Sequence, residues 1–387
     1  MPTDTMDDIE LKNIELQVPL MRNVSRSETY TQEDKIETEW GTMFVAVQGE
    51  RNKQAIITYH DLGLNHISNF QAFFNYVDMR LLSQSFCIYH LNAPGQEEGA
   101  PSFQEGHVYP TMDQLAEMIL CAVKFYNLKH FVGLGVGAGA NILARFALKY
   151  PDFVDGLFLV NCTSTVSSWT EWGYQKINAM YLRSSGMTNS AQEYMLWHHF
   201  GKITEDRNHD LIQAYRQYFS KAVNPYNLSL FIDSYIRRSD LQIQRELDTT
   251  KKKSERRFKC QVLLLVGDMS PHLDDIVDMN ARLDPSNSTW MKLSDCAMVL
   301  EEQPGKVSEI LRLFLQGLGF ALNQSELRLS SSSSWEASTL SVRKFSLPQQ
   351  RSVDVEAVCR QRTDVDSDFR HEVHIVENPI DQHTVTC

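Results

Sequence analysis

The run Gly133-Leu-Gly-Val-Gly-Ala-Gly-Ala-Asn141 joins an apolar stretch to an amphipathic one, and it constrains this chain more than any other feature. The stretch before it, residues 130–134, has the texture of a buried strand. After it, Ile142, Leu143, Phe146 and Ala147 fall on one helical face. Glycines at such a junction let strand and helix approach closely and admit backbone angles that side chains resist. The alternation recurs along the chain. Residues 54–60, 85–91, 154–160, 261–266 and 289–293 read as further strands, and 35–40 with 42–47 as a hairpin about Gly41. Helical patterns cover 69–82, a capping-box-like start at Thr111–Gln114, and a closing helix carrying Val307, Ile310, Leu311, Phe314, Leu315 and Leu318. This order predicts an eight-stranded, mainly parallel sheet with helices on both faces. Residues 165–250 break the rhythm: they show helical pattern, many aromatics and no convincing strand. They are expected to form a helical cap at one end of the sheet.

The glycine run admits two chemical readings. Gly133, Gly135 and Ala138 match a dinucleotide fingerprint, G-x-G-x-x-G/A. That fingerprint belongs in a first strand–helix turn, with an acidic residue closing the next strand. Here several strands come first and the next ends at Asn161-Cys162, so the dinucleotide reading is set aside. Gly135 and Gly139 also match the outer positions of G-x-S-x-G, the nucleophile elbow of an α/β-hydrolase, which leaves Gly137 in the nucleophile's place. The acid is expected about three residues beyond Gly267, where Ser270 stands, with Asp268 and Asp274 displaced to either side. The histidine is expected near Cys296 or Ala297, ahead of Glu302-Gln-Pro304. Residues 273–370 contain no histidine, and His272 is upstream. Losing a nucleophile or base costs such an enzyme on the order of 10⁶ in turnover. The expectation is an α/β-hydrolase fold without catalysis.

Several segments resemble the N-myc downstream-regulated (NDRG) family: Thr58-Tyr-His-Asp-Leu-Gly-Leu-Asn65, Asn92-Ala-Pro-Gly-Gln96 with Gly99-Ala100, Tyr109-Pro110, and Gly133–Asn141 with the following Ile142–Ala147. Trp169-Thr-Glu-Trp172 with Lys176, Val266-Gly-Asp268 and Gln316-Gly-Leu-Gly319 extend the match over roughly residues 35–322. The resemblance implies an α/β-hydrolase fold lacking a working triad. It also implies a cytoplasmic protein linked to differentiation, stress response, signalling or vesicle trafficking, with a phosphorylated tail. It supplies no ligand and no cofactor.

The domain reading is an arm at 1–32, a hydrolase-like domain at 33–322, and a Ser-rich disordered tail at 323–387 that includes five consecutive serines at 330–334. In the tail, Arg343 precedes Ser346 and Arg360 precedes Thr363 by three residues, a spacing that suits a basophilic kinase. With 37 basic against 49 acidic residues the chain is net −12, which argues against nucleic-acid binding. Seven scattered cysteines suit reduced thiols, and the acidic start lacks a signal-peptide core; both point to the cytoplasm.

His60, Asp61, Asn92, Gln96, Gly137, Asn161 and Asp268 fall at the carboxyl ends of expected strands, where open α/β sheets bind ligands. They are candidates for a vestigial pocket under the cap. Two alternatives to a silent adaptor follow: an unorthodox hydrolase using His60 with Asp61 or the Cys162 thiol, and a small-molecule sensor. No metal site is expected, because the adjacent His198 and His199 diverge by about 100° on a helix and read as cap packing. Protein partners are expected on the cap, with Trp169 and Trp172 as possible anchors, or on the hydrolase surface. Lys251, Lys252, Lys253, Arg256 and Arg257 offer a weak contact for anionic lipid and so for peripheral membrane association.

Overall fold

The structure, a computed structural model, describes residues 32–205, 207–245 and 256–321. The expected tail, most of the arm, Lys251–Lys253, Ser346 and Thr363 lie outside these residues. Eight strands form one sheet: β1 (Gln32–Thr38), β2 (Gly41–Gln48), β3 (Gln54–Tyr59), β4 (Phe86–Asn92), β5 (Phe131–Val136), β6 (Val154–Val160), β7 (Gln261–Gly267) and β8 (Ser288–Leu293). Their spatial order is β1-β2-β4-β3-β5-β6-β7-β8. β1–β2 and β2–β4 pair antiparallel, and every later pair is parallel. This is the expected sheet, with the hairpin at one edge.

Successive strand side chains point to opposite faces, and two cores result. Ile57, Leu157 and Leu159 join a core with α3 (Met112–Phe125), α4 (Ala138–Lys149) and the cap. Ile56, Phe158 and Val160 join a second core on the other face. There they meet α1 (Ala72–Asn75), α2 (Val77–Ser83) and the closing helix α11 (Pro304–Gly317). Thr111 and Gln114 close a reciprocal capping box on α3, as their spacing predicts. The single helix expected over 69–82 is instead a π turn at Ile67–Gln71 followed by α1 and α2. The break falls at Tyr76, which is extended (ψ 143°) and lays its hydroxyl against Gly305 at the start of α11.

Between β6 and β7 the chain builds the cap from α5 (Trp169–Ser185), α6 (Asn189–Phe200), α7 (His209–Lys221) and α8 (Pro225–Ile236). Ser168 and Glu171 form a second capping box at the head of α5. Glu171 also takes both arms of the buried Arg238 guanidinium, at 2.8 and 2.9 Å. That fork ties α5 to the segment just after α8. Beyond β7 come α9 (Leu273–Arg282) and a short turn, α10 (Val299–Glu302), ahead of α11.

Candidate functional site

β5 enters Gly137 and the chain turns at once into α4. Gly137 sits at φ 52°, ψ −114°, backbone angles that a residue with a Cβ avoids. Close packing at Gly139 completes the turn, since a Cβ there would lie 2.2 Å from the Tyr59 carbonyl oxygen. The elbow backbone is therefore intact.

The space above it is taken. A Cβ on Gly137 would lie 2.1 Å from Cγ of Asp61, the second residue beyond β3. The Asp61 carboxylate is fixed at both oxygens. Oδ1 accepts from the Leu62 N–H at 2.7 Å and the Ala138 N–H at 2.8 Å. Oδ2 lies 3.0 Å from Nε2 of His198, whose N–H it accepts. In an acyl-transfer enzyme of this architecture, amides at the residue after the elbow and in the loop after β3 would receive the oxyanion. Here a resident carboxylate holds them. Burial alone would raise the Asp61 pKa. Attraction to His198 and His199 with these hydrogen bonds outweighs it, so the group stays ionised, below the usual carboxylate range.

His199 approaches the same carboxylate, its Nδ1 3.7 Å from Asp61 Oδ2, while its Nε2 lies 3.0 Å from the Leu62 carbonyl oxygen. Burial and the neighbouring His198 lower its pKa to about 3. Both histidines are buried in the cap, and despite their angular divergence on the helix they meet one partner. His198 reaches Asp61 through Nε2 and His199 through Nδ1, so rings pointing apart still converge on one oxygen. Asp61, His198 and His199 are all buried, and their three ligand atoms lie within 4.8 Å of one another.

The acid loop forms a second cluster beside the first. Nδ1 of His272 meets Asp275 Oδ2 at 3.3 Å, and Thr163 donates to the same oxygen at 3.2 Å. Burial lowers the His272 pKa, but Asp275 more than compensates and the net shift is upward. Ser270, at the acid's expected place, donates to Asn161 at 3.2 Å. The base's expected place is closed. The Cys296 thiol points to the Leu293 carbonyl, and Glu302 accepts from the Ala297 and Met298 amides at 2.7 and 2.8 Å. Arg207 of the cap pairs with Glu302 at 3.2 Å.

The other sequence candidates scatter. His60 Nε2 accepts from the Ala93 N–H at 3.0 Å, so its Nδ1–H donates to the Asp61 carbonyl at 2.8 Å. Both ring nitrogens are engaged, and burial lowers the pKa to about 4. Burial pushes the Cys162 thiol far up, away from thiolate. Asn92 serves the loops, accepting from the His66 N–H at 2.9 Å. Gln96 lines a separate cavity of about 220 Å³ with Gly63, Gly95, Tyr218 and Asn224. Asp268 stands beside the Cys296 thiol, its Oδ1 buried without a hydrogen-bond partner. A larger groove of about 890 Å³ runs between residues 102–111 and α5 and α8 of the cap. Neither cavity reaches Asp61 or Gly137. A hydroxyl–imidazole pair does occur elsewhere: Thr58 Oγ1 and His90 Nδ1 are 2.8 Å apart. Both are mid-strand, with His90 packed against Phe70 and Phe74 of the second core. His198, His199, His272 and Asp275 are the site residues that the candidate set lacked. The traces they left in the sequence were a pair of adjacent histidines in the cap and His272 in the acid loop.

The sheet order, the elbow backbone and the cap between β6 and β7 define a protein of the α/β-hydrolase fold. Solved structures agree at the level of fold. A thermophilic esterase from Thermogutta terrifontis superposes with a TM-score of 0.60 at 19% identity, over 75% of this chain and 100% of its own. A hydrolase from Pseudomonas aeruginosa gives 0.57 at 17%, over 74% and 98%. The chain belongs to the Ndr family, whose model matches residues 33–322. It is 38% identical to Protein NDRG3 of Xenopus laevis over 90% of this chain and 92% of that one. Protein NDRG1 of Xenopus tropicalis is 41% identical over 81% and 78%, and Protein NDRG2 of Bos taurus 40% over 77% and 80%.

Proposed function

We propose that this chain is a non-catalytic member of its fold, acting as a cytoplasmic signalling or adaptor protein in differentiation, stress response or trafficking. The observation that carries the reading is the Asp61 carboxylate, which occupies both the nucleophile's space and the amides that would bind an oxyanion. A serine-directed fluorophosphonate probe and a panel of short-chain esters test it. Neither labelling nor turnover above the uncatalysed rate is expected. Stoichiometric labelling overturns the proposal.

The recognition surface in this reading is the cap, bound by a protein partner with an apolar face. Its support is α5, where Trp169 is 87% exposed and Trp172, Ile177 and Met180 are also exposed. At 100° per residue Trp169 and Met180 share one line, with Trp172 and Ile177 flanking it. Replacing Trp169, Ile177 and Met180 together with serine leaves the core intact, so thermal stability should hold while partner recovery by pull-down falls. Equal recovery removes the cap from the proposal. The tail is the regulatory arm: phosphate at Ser346 or Thr363 adds about −1.5 to −2 charges per site. Arg256 and Arg257 are exposed, and with Lys251–Lys253 they supply a contact worth up to ~1 kcal/mol per cation at an anionic bilayer.

A further inference from the structure

We propose that Asp61, His198 and His199 form a seat for one divalent cation of the zinc class, which clasps the cap to the sheet. Asp61 comes from the loop after β3, and both histidines from α6 of the cap. Asp61 Oδ2 stands 3.0 Å from His198 Nε2 and 3.7 Å from His199 Nδ1, and all three ligand atoms lie within 4.8 Å of one another. Tetrahedral zinc with bonds of ~2.0–2.1 Å separates its ligand atoms by about 3.3–3.4 Å. Small rotations of the two rings therefore suffice to close a three-ligand site.

The hydrogen bonds around the cluster are those that orient a ligand set. His199 Nε2 faces a carbonyl oxygen, which can only accept, so that nitrogen carries the proton. In the neutral ring Nδ1 then presents a lone pair to an anionic oxygen 3.7 Å away, two acceptors face to face. A cation between them turns that opposition into two bonds. The second carboxylate oxygen is held by two backbone amides, the outer support that metal sites use to fix a ligand. His272 adds an independent observation. Its ring packs 4.8 Å from that of His198, and its Nε2 is buried without a hydrogen-bond partner. It offers an imidazole beside the cluster for a fourth coordination position, with water as the other occupant. Binding displaces the proton that His198 Nε2 shares with Asp61. That proton moves to Nδ1 of the same ring or leaves to solvent, and no other bond changes.

The consequence is mechanical. With the cation in place, α6 is bonded to the loop after β3. Without it, two histidine hydrogen bonds, His198 to Asp61 and His199 to the Leu62 carbonyl, and packing hold that contact. The inference does not depend on the proposed function, since a silent or an active chain would be clasped alike.

The test uses the full chain stripped with chelator and titrated with Co²⁺, then with Zn²⁺. One Co²⁺ per chain should bind, with visible ligand-field bands of a four-coordinate site that one equivalent of Zn²⁺ bleaches. Free Zn²⁺ at about 100-fold over its Kd should raise the thermal midpoint by several degrees. His199→Gln retains a donor for the Leu62 carbonyl but removes the lone pair at Nδ1, and His198→Asn removes the other imidazole. Each should abolish the bands while far-UV circular dichroism stays native. Replacing His371, His374 and His383 with Asn should leave the bands intact. Absence of bands in the parent chain, bands undiminished in His199→Gln and His198→Asn, or bands lost with the three distal histidines would each overturn the proposal. Should one cap variant fail to fold, the other decides.

Discussion

Restoring a side chain at the elbow is the perturbation whose cost follows most directly from the geometry. Gly137→Ala places a Cβ where φ is 52°, a conformation costing a non-glycine residue ~1–3 kcal/mol. The same Cβ lies 2.1 Å from Asp61 Cγ, so the carboxylate must leave its place. Its departure strains or breaks the bonds from Leu62, Ala138 and His198. Hydrogen bonds to a charged group are worth ~1.5–3 kcal/mol each, and overpacking alone costs ~1–3 kcal/mol, so a total of roughly 3–5 kcal/mol is expected. The two contributions separate in a double-mutant cycle measured by urea unfolding. In an Asp61→Ala background the clash is gone and only the backbone strain remains, so Gly137→Ala should cost ~1–3 kcal/mol. A coupling of about 2 kcal/mol is the expected result. Equal costs in both backgrounds, within ~0.5 kcal/mol, would refute the claim that Asp61 fills the nucleophile's space.

Other measurements bear on other parts of the molecule. Glu301, beside Tyr215 and Glu302, has its pKa raised by burial from 4.5 to about 7. Between those values the folded state holds a proton that the unfolded state has lost, so this group makes stability fall as pH rises from 4.5 through 7. Glu301→Gln replaces the titrating group with a neutral one and should be more stable than the parent by ~1–2 kcal/mol at pH 8, with the gain shrinking as pH falls from 7 to 4.5 and absent below that; a pH-independent difference would contradict it. Arg238 is buried against Glu171 and over the Tyr235 ring at 4.3 Å. Arg238→Met should cost ~3–5 kcal/mol, because it strands a partly buried carboxylate, and should raise hydrogen exchange first at the head of α5. Uniform exchange across the cap would place the loss elsewhere. Cys162 should resist maleimide in the native chain and react on denaturation, since burial keeps its thiol protonated.

Much of this was legible in the sequence, and the reason differs by element. β6 appears at the residues the sequence marked, because Gly156–Val160 is buried throughout and the strand's one polar residue, Asp155, is only partly buried at its entrance. Gly137 was legible because the elbow imposes its own spacing on the flanking glycines. The fate of Asp61 was not. His60-Asp-Leu-Gly63 reads as an oxyanion-hole turn, and nothing local says that its carboxylate folds back into the hole. The contacts that hold it lie 77 and 137 residues away, at Ala138 and His198. The partner shared by the histidine pair was hidden for a related reason. Angular divergence on a helix describes Cβ directions, whereas an imidazole offers two nitrogens at different reach, and a buried partner can use one from each ring.

The site's closure is cooperative, which argues against reversal by any single substitution. A serine at 137 has no room while Asp61 remains. Removing Asp61 leaves the Leu62 and Ala138 amides, and the His198 N–H, without their acceptor in a buried place, at about 1–3 kcal/mol per group. A histidine at Cys296 or Ala297 would then have to enter a loop whose amides are claimed by Glu302, itself paired to Arg207 of the cap. Each step toward an enzyme thus unmakes a contact between cap and sheet before any chemistry is gained. Polar groups at the place where hydrolases of this fold bind substrate are here engaged in holding the cap in one position. That is what the recognition surface proposed on the cap requires.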